Sequence, residues 1–206
     1  MNRSLAPQGF WRCERAASAA EFAIILPIFL LFFFGIIDGG RFLYEINQGG
    51  KAAQIGARMA VVTDPIAPQL FTQSYVGQTV GGVTLIQGDR IPAGALGVVT
   101  CTSGGCACTL APCPAGLGSD AARFTRLLNR MRQIMPAIRE ENLTVTYSDS
   151  GLGYAGNPNG MDISPLVNVR IANVQFSSII LFGRNLTLPT FSYSLTMEDG
   201  QGQTFN

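Results

Sequence analysis

The apolar positions of this chain follow three successive patterns. From Phe22 to Ile37 the sequence reads FAIILPIFLLFFFGII, a run without a single charge. At the α-helical rise this run covers roughly 24 Å, short of the ~30 Å hydrocarbon core of a bilayer. The small residues Ala16 to Ala20 bring it to spanning length, with Glu21 as the one ionisable interruption. Beyond the run, Gly39, Leu43, Ile46, Gly50, Ala53, Ala57 and Ala60 recur every four or three residues, a single stripe down a helix. Small residues in such a stripe let a second backbone approach closely, and Gly35-xxx-Gly39 adds one such site at the end of the apolar run. Pro65 disfavours helix at Asp64. The pattern therefore predicts one helix from about Ala17 to Val62, roughly 69 Å long, half in a membrane and half projecting from it. Gly49-Gly50 is its weakest point, and Pro27 predicts a kink that carries no chemistry.

The third pattern, from residue 65 onward, is that of a domain folded in water. Short strand-like runs occur at Val83-Thr84-Leu85 and from Leu96 to Thr100. Phe124, Leu127, Leu128, Met131, Ile134 and Met135 recur at helical spacing, which predicts an amphipathic helix capped by Ser119 and ended by Pro136. Its arginines, Arg123, Arg126, Arg130 and Arg132, fall largely on the solvated side. Leu143, Val145 and Tyr147 alternate with polar residues, a half-buried strand. Val167, Val169 and Ile171 share one phase and Val174 and Phe176 the other. Leu186 and Leu188 likewise give way to Phe191, Tyr193 and Leu195. Each slip of phase predicts a β-bulge, the second beside Pro189.

Composition narrows the function classes. The chain has 206 residues, with 14 Lys+Arg against 13 Asp+Glu, so it lacks the basic footprint of a nucleic-acid binder. It contains no histidine, which removes Ser-His-Asp and Cys-His catalysis and leaves zinc only an all-cysteine or carboxylate site. No G-x-S-x-G motif is present, so an enzyme is not expected. Arg3, Arg12 and Arg15 precede the span and Arg41 and Lys51 follow it. The excess, a thin one, puts residues 1–16 in the cytoplasm as a basic tail or leader and the domain of residues 65–206 outside the cytoplasmic membrane. Asp38-Gly39-Gly40-Arg41 offers no signal-peptidase site after the apolar run, so the span is retained as an anchor.

Cys101, Cys106, Cys108 and Cys113 cluster in the exported part, where disulfides persist. A Cys106–Cys108 bridge would close a very small ring. The open pairings are Cys101–Cys106 with Cys108–Cys113, or Cys101–Cys108 with Cys106–Cys113. Cys13 reads as an incidental thiol. The loop from Asp149 to Asp162 offers Asp149, Asn157, Asn159 and Asp162 as a weak calcium candidate, but its spacing fits no EF-hand and a surface turn is the better reading. No cofactor is expected.

The stretch from Ser18 to Arg58 resembles the TadE-like family of pseudopilins from tight-adherence, Flp-type pilus systems. The resemblance rests on Glu21-Phe22, the apolar run interrupted by Pro27, Gly35 with Asp38, Arg41 and the closing Ala57-Arg58. It implies a pilin-like α+β fold: a long N-terminal transmembrane helix extending out of the membrane, a second short helix and an antiparallel sheet. It also implies cutting by a prepilin peptidase between Ala16 and Ala17, where alanine stands in place of the family's glycine. Glu21 would then be the fifth mature residue, and its charge partner would be the newly exposed amine of a neighbouring subunit. A buried carboxylate needs such a partner, since it costs about 2.5–3.5 kcal/mol at the bilayer centre and less near the edge. The expected partners are other pilin-like subunits and pilus-assembly membrane proteins, met through Gly35, Gly39, Gly50, Ala53 and Ala57. The contrasting expectation is a membrane-tethered ligand-binding module or enzyme unrelated to pili.

Overall fold

The computed structural model describes residues 14–158 and 160–197. The chain is α+β, with a long N-terminal apolar helix, a shorter helix and antiparallel sheets, in the class that the sequence predicts. Helix α1 spans Glu14–Val62, starting three residues before the predicted point and continuing through Pro27 and Gly49-Gly50. It is followed by α2 (Gln69–Thr72), the small hairpin β1 (Thr79–Val80) and β2 (Val83–Thr84), and the hairpin β3 (Val98–Thr102) and β4 (Gly105–Leu110). Helix α3 covers Ala121–Arg132, and a single 3-10 turn, Glu140–Asn142, leads into β5 (Leu143–Ser148). The remaining strands are β6 (Leu166–Ile171), β7 (Gln175–Ser177), β8 (Asn185–Thr187) and β9 (Phe191–Thr196). Two compact units result. One takes α1 as far as Leu43 together with Ser177–Asn185, and the other takes Tyr44–Phe176 and the chain from Leu186 onward.

The larger unit is built on a five-stranded antiparallel sheet in the order β4-β3-β5-β6-β9. Its register brings apolar residues opposite one another across successive strands. Val145 faces Val169 and Cys101, and Tyr147 faces Val167 and Val99. Val169 in turn faces Tyr193, and Ile171 faces Phe191. Cross-strand pairs of this kind are the unit of sheet stabilisation. The alternation read from the sequence holds in β5 and β6: Leu143, Val145 and Tyr147, and Val167, Val169 and Ile171, are buried, and the intervening positions are not. Tyr147 is buried to 1% exposure, and its hydroxyl accepts a hydrogen bond from the Ile66 amide at 3.0 Å. Burial pushes its phenol up to about 12, against a partial lowering by that amide. Tyr75, also buried, is raised to about 12 by the same cause.

Two small residues of α1 admit side chains of this core. A Cβ placed on Gly49 would lie 2.3 Å from the Phe191 ring, and one on Gly56 would lie 2.7 Å from the Met131 sulfur. Gly49 is thus a close-approach position, in addition to being a weak point for helix propensity. Ala52, Ala53, Ala57 and Ala60 are buried alongside them.

Helix α3 is capped by Asp120 rather than by Ser119. The Asp120 carboxylate accepts from the Ala122 and Arg123 amides, which satisfies two of the free amides of the first turn. The helix buries Phe124, Leu127, Leu128 and Met131, and ends four residues before Pro136. Arg123 leaves the solvated set: it pairs with Asp64 at 3.4 Å and Asp120 at 2.9 Å and donates to the Pro65 carbonyl at 2.8 Å.

Neither phase slip is a bulge within one strand. After β6 the chain turns at Asn173, whose φ is +59°, and leaves the main sheet. It then forms the separate hairpin β7–β8 and rejoins the sheet as β9. A change of sheet inverts the inward phase just as an inserted residue does. Asn142, within one of two N-x-T sequons, is buried. It donates to the Ala172 and Asn173 carbonyls and accepts from the Arg139 amide, which holds this turn.

Candidate functional site

The candidate site is the smaller unit, where an apolar helix meets a polar clasp. One 18-residue window of α1 has a mean hydropathy of 2.6 and none of it is buried. Phe22, Ile25, Ile28, Leu31 and Phe32 all stand exposed. A helix that is apolar on every side and covered by nothing in its own fold is suited to lipid or to neighbouring helices. Its length and composition make the chain a candidate single-pass membrane protein.

At the end of the uncharged run the environment changes. Asp38 is only 6% exposed, and Phe22 to Ile37 contain no other polar side chain. A buried carboxylate is tolerated only when its oxygens are fully hydrogen-bonded. One oxygen accepts from the Ser178 hydroxyl at 2.7 Å and from the Ile180 amide at 2.9 Å. The other accepts from Arg41, one turn along the helix, at 3.1 Å. A Cβ at Gly35 would sit 3.4 Å from the tip of Ile180, an ordinary van der Waals contact, so Ile180 packs against this turn of α1 without requiring glycine there.

The residues singled out from the sequence separate into groups. Ala16 and Ala17 lie in the first turn of α1, and Glu21 is exposed on the same helix. Gly39 and Gly50 are open, with nothing within 4 Å of a Cβ at either position. Ala53 and Ala57 are at 1% and 0% exposure, packed into the core of the larger unit, so the predicted stripe is not one continuous free face. The four cysteines form Cys101–Cys106, which clasps β3 to β4, and Cys108–Cys113, which ties β4 to the chain following it.

In the Asp149–Asp162 loop the carboxylates are taken up by backbone amides. Asp162 accepts from Tyr75 at 2.7 Å and from Asn157 at 2.9 Å, and Asp149 accepts from Gly94 and Gly151. This is the bonding of a structural turn, and no cluster of three or more His, Cys, Asp or Glu suited to a metal occurs among the described residues. Asn159 lies outside the described residues.

Sequence reasoning named Asp38 only as part of a motif and gave Gly49 and Gly56 no partners. An acidic residue at the end of an apolar run, and a Ser-Ser pair before the apolar IILF segment, are the signals for the first. The seven-residue spacing of the two glycines is the signal for the second.

No curated protein and no solved structure matches the chain. A family model does match, and it falls on α1: residues 16–58, which hold Glu21, Asp38, Arg41 and the exposed apolar run, are similar to the family described as TadE-like protein.

Proposed function

We propose that the chain is a membrane-anchored pseudopilin or minor pilin that takes part in assembling a tight-adherence, Flp-type pilus by helix packing, without catalysis. One observation carries this reading: the TadE-like match includes the part of α1 whose apolar side chains nothing in the fold buries. Residues 1–16 are cytoplasmic in this reading, and the larger unit lies on the far side of the cytoplasmic membrane. Gly39 and Gly50 are the open small positions offered to neighbouring pilin-like helices, whereas Ala53 and Ala57 serve the chain's own core. Glu21 sets register by pairing with an amine or other cation of the next subunit, because an unpaired carboxylate in an apolar setting is costly.

Glu21→Gln tests the mechanism. Removing the charge eases insertion, so the variant should insert and fold normally yet fail to assemble. In a Cys13→Ser background, Gly39→Cys and Gly50→Cys should form bismaleimide crosslinks to neighbouring subunits, and Glu21→Gln should abolish them. Wild-type crosslinking and pilus yield in Glu21→Gln would refute the charge-register mechanism. N-terminal sequencing of the same material separates two forms of the function. A chain that begins at Ala17 is a processed subunit, and one that begins at Met1 is a permanently tethered assembly factor.

A further inference from the structure

The turn between β7 and β8 has the composition of a membrane-buried element. Ile179 and Leu181 are 47% and 42% exposed, and Phe182 is 100% exposed at a φ of +53°. A bulky side chain is rarely held at positive φ, and rarely left wholly in water at a turn tip. The amides of this tip are nonetheless paired within the protein. The Ile180 amide donates to Asp38 and the Leu181 amide to the Ser178 hydroxyl. The Phe182, Gly183 and Arg184 amides donate to the carbonyls of Ile179, Ser178 and Leu181. Five consecutive N–H groups thus need no water, as immersion in lipid requires.

The position of the tip follows from Asp38. That residue directly succeeds the uncharged run Phe22–Ile37, so it marks the level at which α1 leaves the hydrocarbon. The Ser178 and Ile180 bonds fix the turn at the same level. We propose that Ile179, Leu181 and Phe182 form a second membrane contact, immersed in the headgroup and upper acyl region of the leaflet from which α1 emerges. Arg184, just beyond the tip, is placed to meet lipid phosphates. Aromatic and aliphatic side chains on a rigid turn are suited to this shallow depth, roughly 5–10 Å into the boundary. The occupant of the apolar tip is therefore the bilayer, continuous with the lipid around α1. Two attachments, one spanning and one interfacial, would hold the emerging helix against rotation about its own axis.

This inference rests on the membrane reading of α1, and fluorescence separates the two. The chain has one tryptophan, so Trp11→Phe gives a silent background. Into it are placed Phe182→Trp at the tip and, separately, Phe29→Trp in the apolar run. Each full-length chain is reconstituted in phosphatidylcholine–phosphatidylglycerol vesicles carrying lipids brominated either near the headgroup or near the acyl terminus. The Phe182→Trp emission should shift to the blue, resist acrylamide and be quenched mainly by the shallow bromines. Phe29→Trp should respond to the deep bromines. Acrylamide quenching of Phe182→Trp, with Phe29→Trp still quenched by lipid, overturns the inference and leaves the anchor intact. Blue-shifted emission that neither lipid nor acrylamide quenches also overturns it, because a protein would then cover the tip. Loss of lipid quenching at Phe29→Trp overturns the membrane reading and the inference together. Adding Asp38→Ala should free the turn and spread the Phe182→Trp quenching over both depths; an unchanged depth profile would overturn the role assigned to Asp38.

Discussion

Helix α1 is one continuous element with two opposite surfaces. From Phe22 to Ile37 its side chains are apolar and mostly exposed, and Asp38 is the one buried residue among those described as far as Leu43. From Tyr44 onward its buried positions are glycine, alanine and Met59, and no polar residue is among them. The first segment follows the rule for lipid, where apolar groups gain nothing by packing against the fold and polar groups must be sequestered. The second follows the rule for water, where burial of apolar surface drives folding and small residues decide how closely elements approach. Hydrophobicity alone would rank the first segment as the core. The core is in the second.

The largest test of this contrast compares two leucines. Leu128 on α3 is fully buried and Leu31 is 63% exposed on α1. Leu128→Ala should cost about 2–5 kcal/mol in urea denaturation of the full chain in detergent micelles. Leu31→Ala should stay within about 0.5 kcal/mol of the parent in the same titration. Similar losses at both sites would show that the apolar run belongs to the folded core after all.

Alkaline pH gives a second, somewhat smaller effect confined to the larger unit. The Tyr147 phenol has its pKa raised to about 12 when folded, above the ordinary 10, so the folded state holds its proton more tightly than the unfolded state. The stabilisation is complete below pH 10 and is lost as pH rises to about 12, amounting to about 2–3 kcal/mol. Tyr147→Phe should flatten that part of the decline, while Tyr75 continues to contribute. A stability that does not change between pH 10 and 12 would mean that Tyr147 is reached by water.

The finest test uses adjacent glycines with opposite expected signs. Gly49→Ala drives a methyl into the Phe191 ring and should destabilise by about 1–3 kcal/mol. Gly50→Ala meets nothing and should stabilise by about 0.5–1 kcal/mol through helix propensity. Thermal melts of the two single variants decide it. A gain at Gly49 would show that the ring moves aside easily.

The features legible in the sequence were those encoded by local period. The extent of α1, the apolar face of α3 and the alternation in β5 and β6 needed no knowledge of distant residues. Those that were missed depend on pairing. A phase inversion at Asn173 reads the same whether the chain bulges or changes sheet, and only the partner strand distinguishes them. Strand β4 holds Cys106 and Cys108 and reads as a cysteine cluster before it reads as an edge strand. The bond from Ser178 to Asp38 joins positions 140 residues apart, beyond any periodic signal. The cysteine pairing was narrowed by ring size to two choices, and the β3–β4 register, which sets Cys101 opposite Cys106, distinguishes them.

The Phe191–Gly49 contact has a consequence for the order of assembly. Phe191 opens β9, which is the last strand of the sheet and lies along β6. Ribosomes make this piece after everything it fits against. Until it emerges, the slot at Gly49 stands open and β6 presents an unpaired edge, both marks of an unfinished chain that proteases and chaperones recognise. The unit is sealed by β9, so its closure reports that every strand of the main sheet described here has been made.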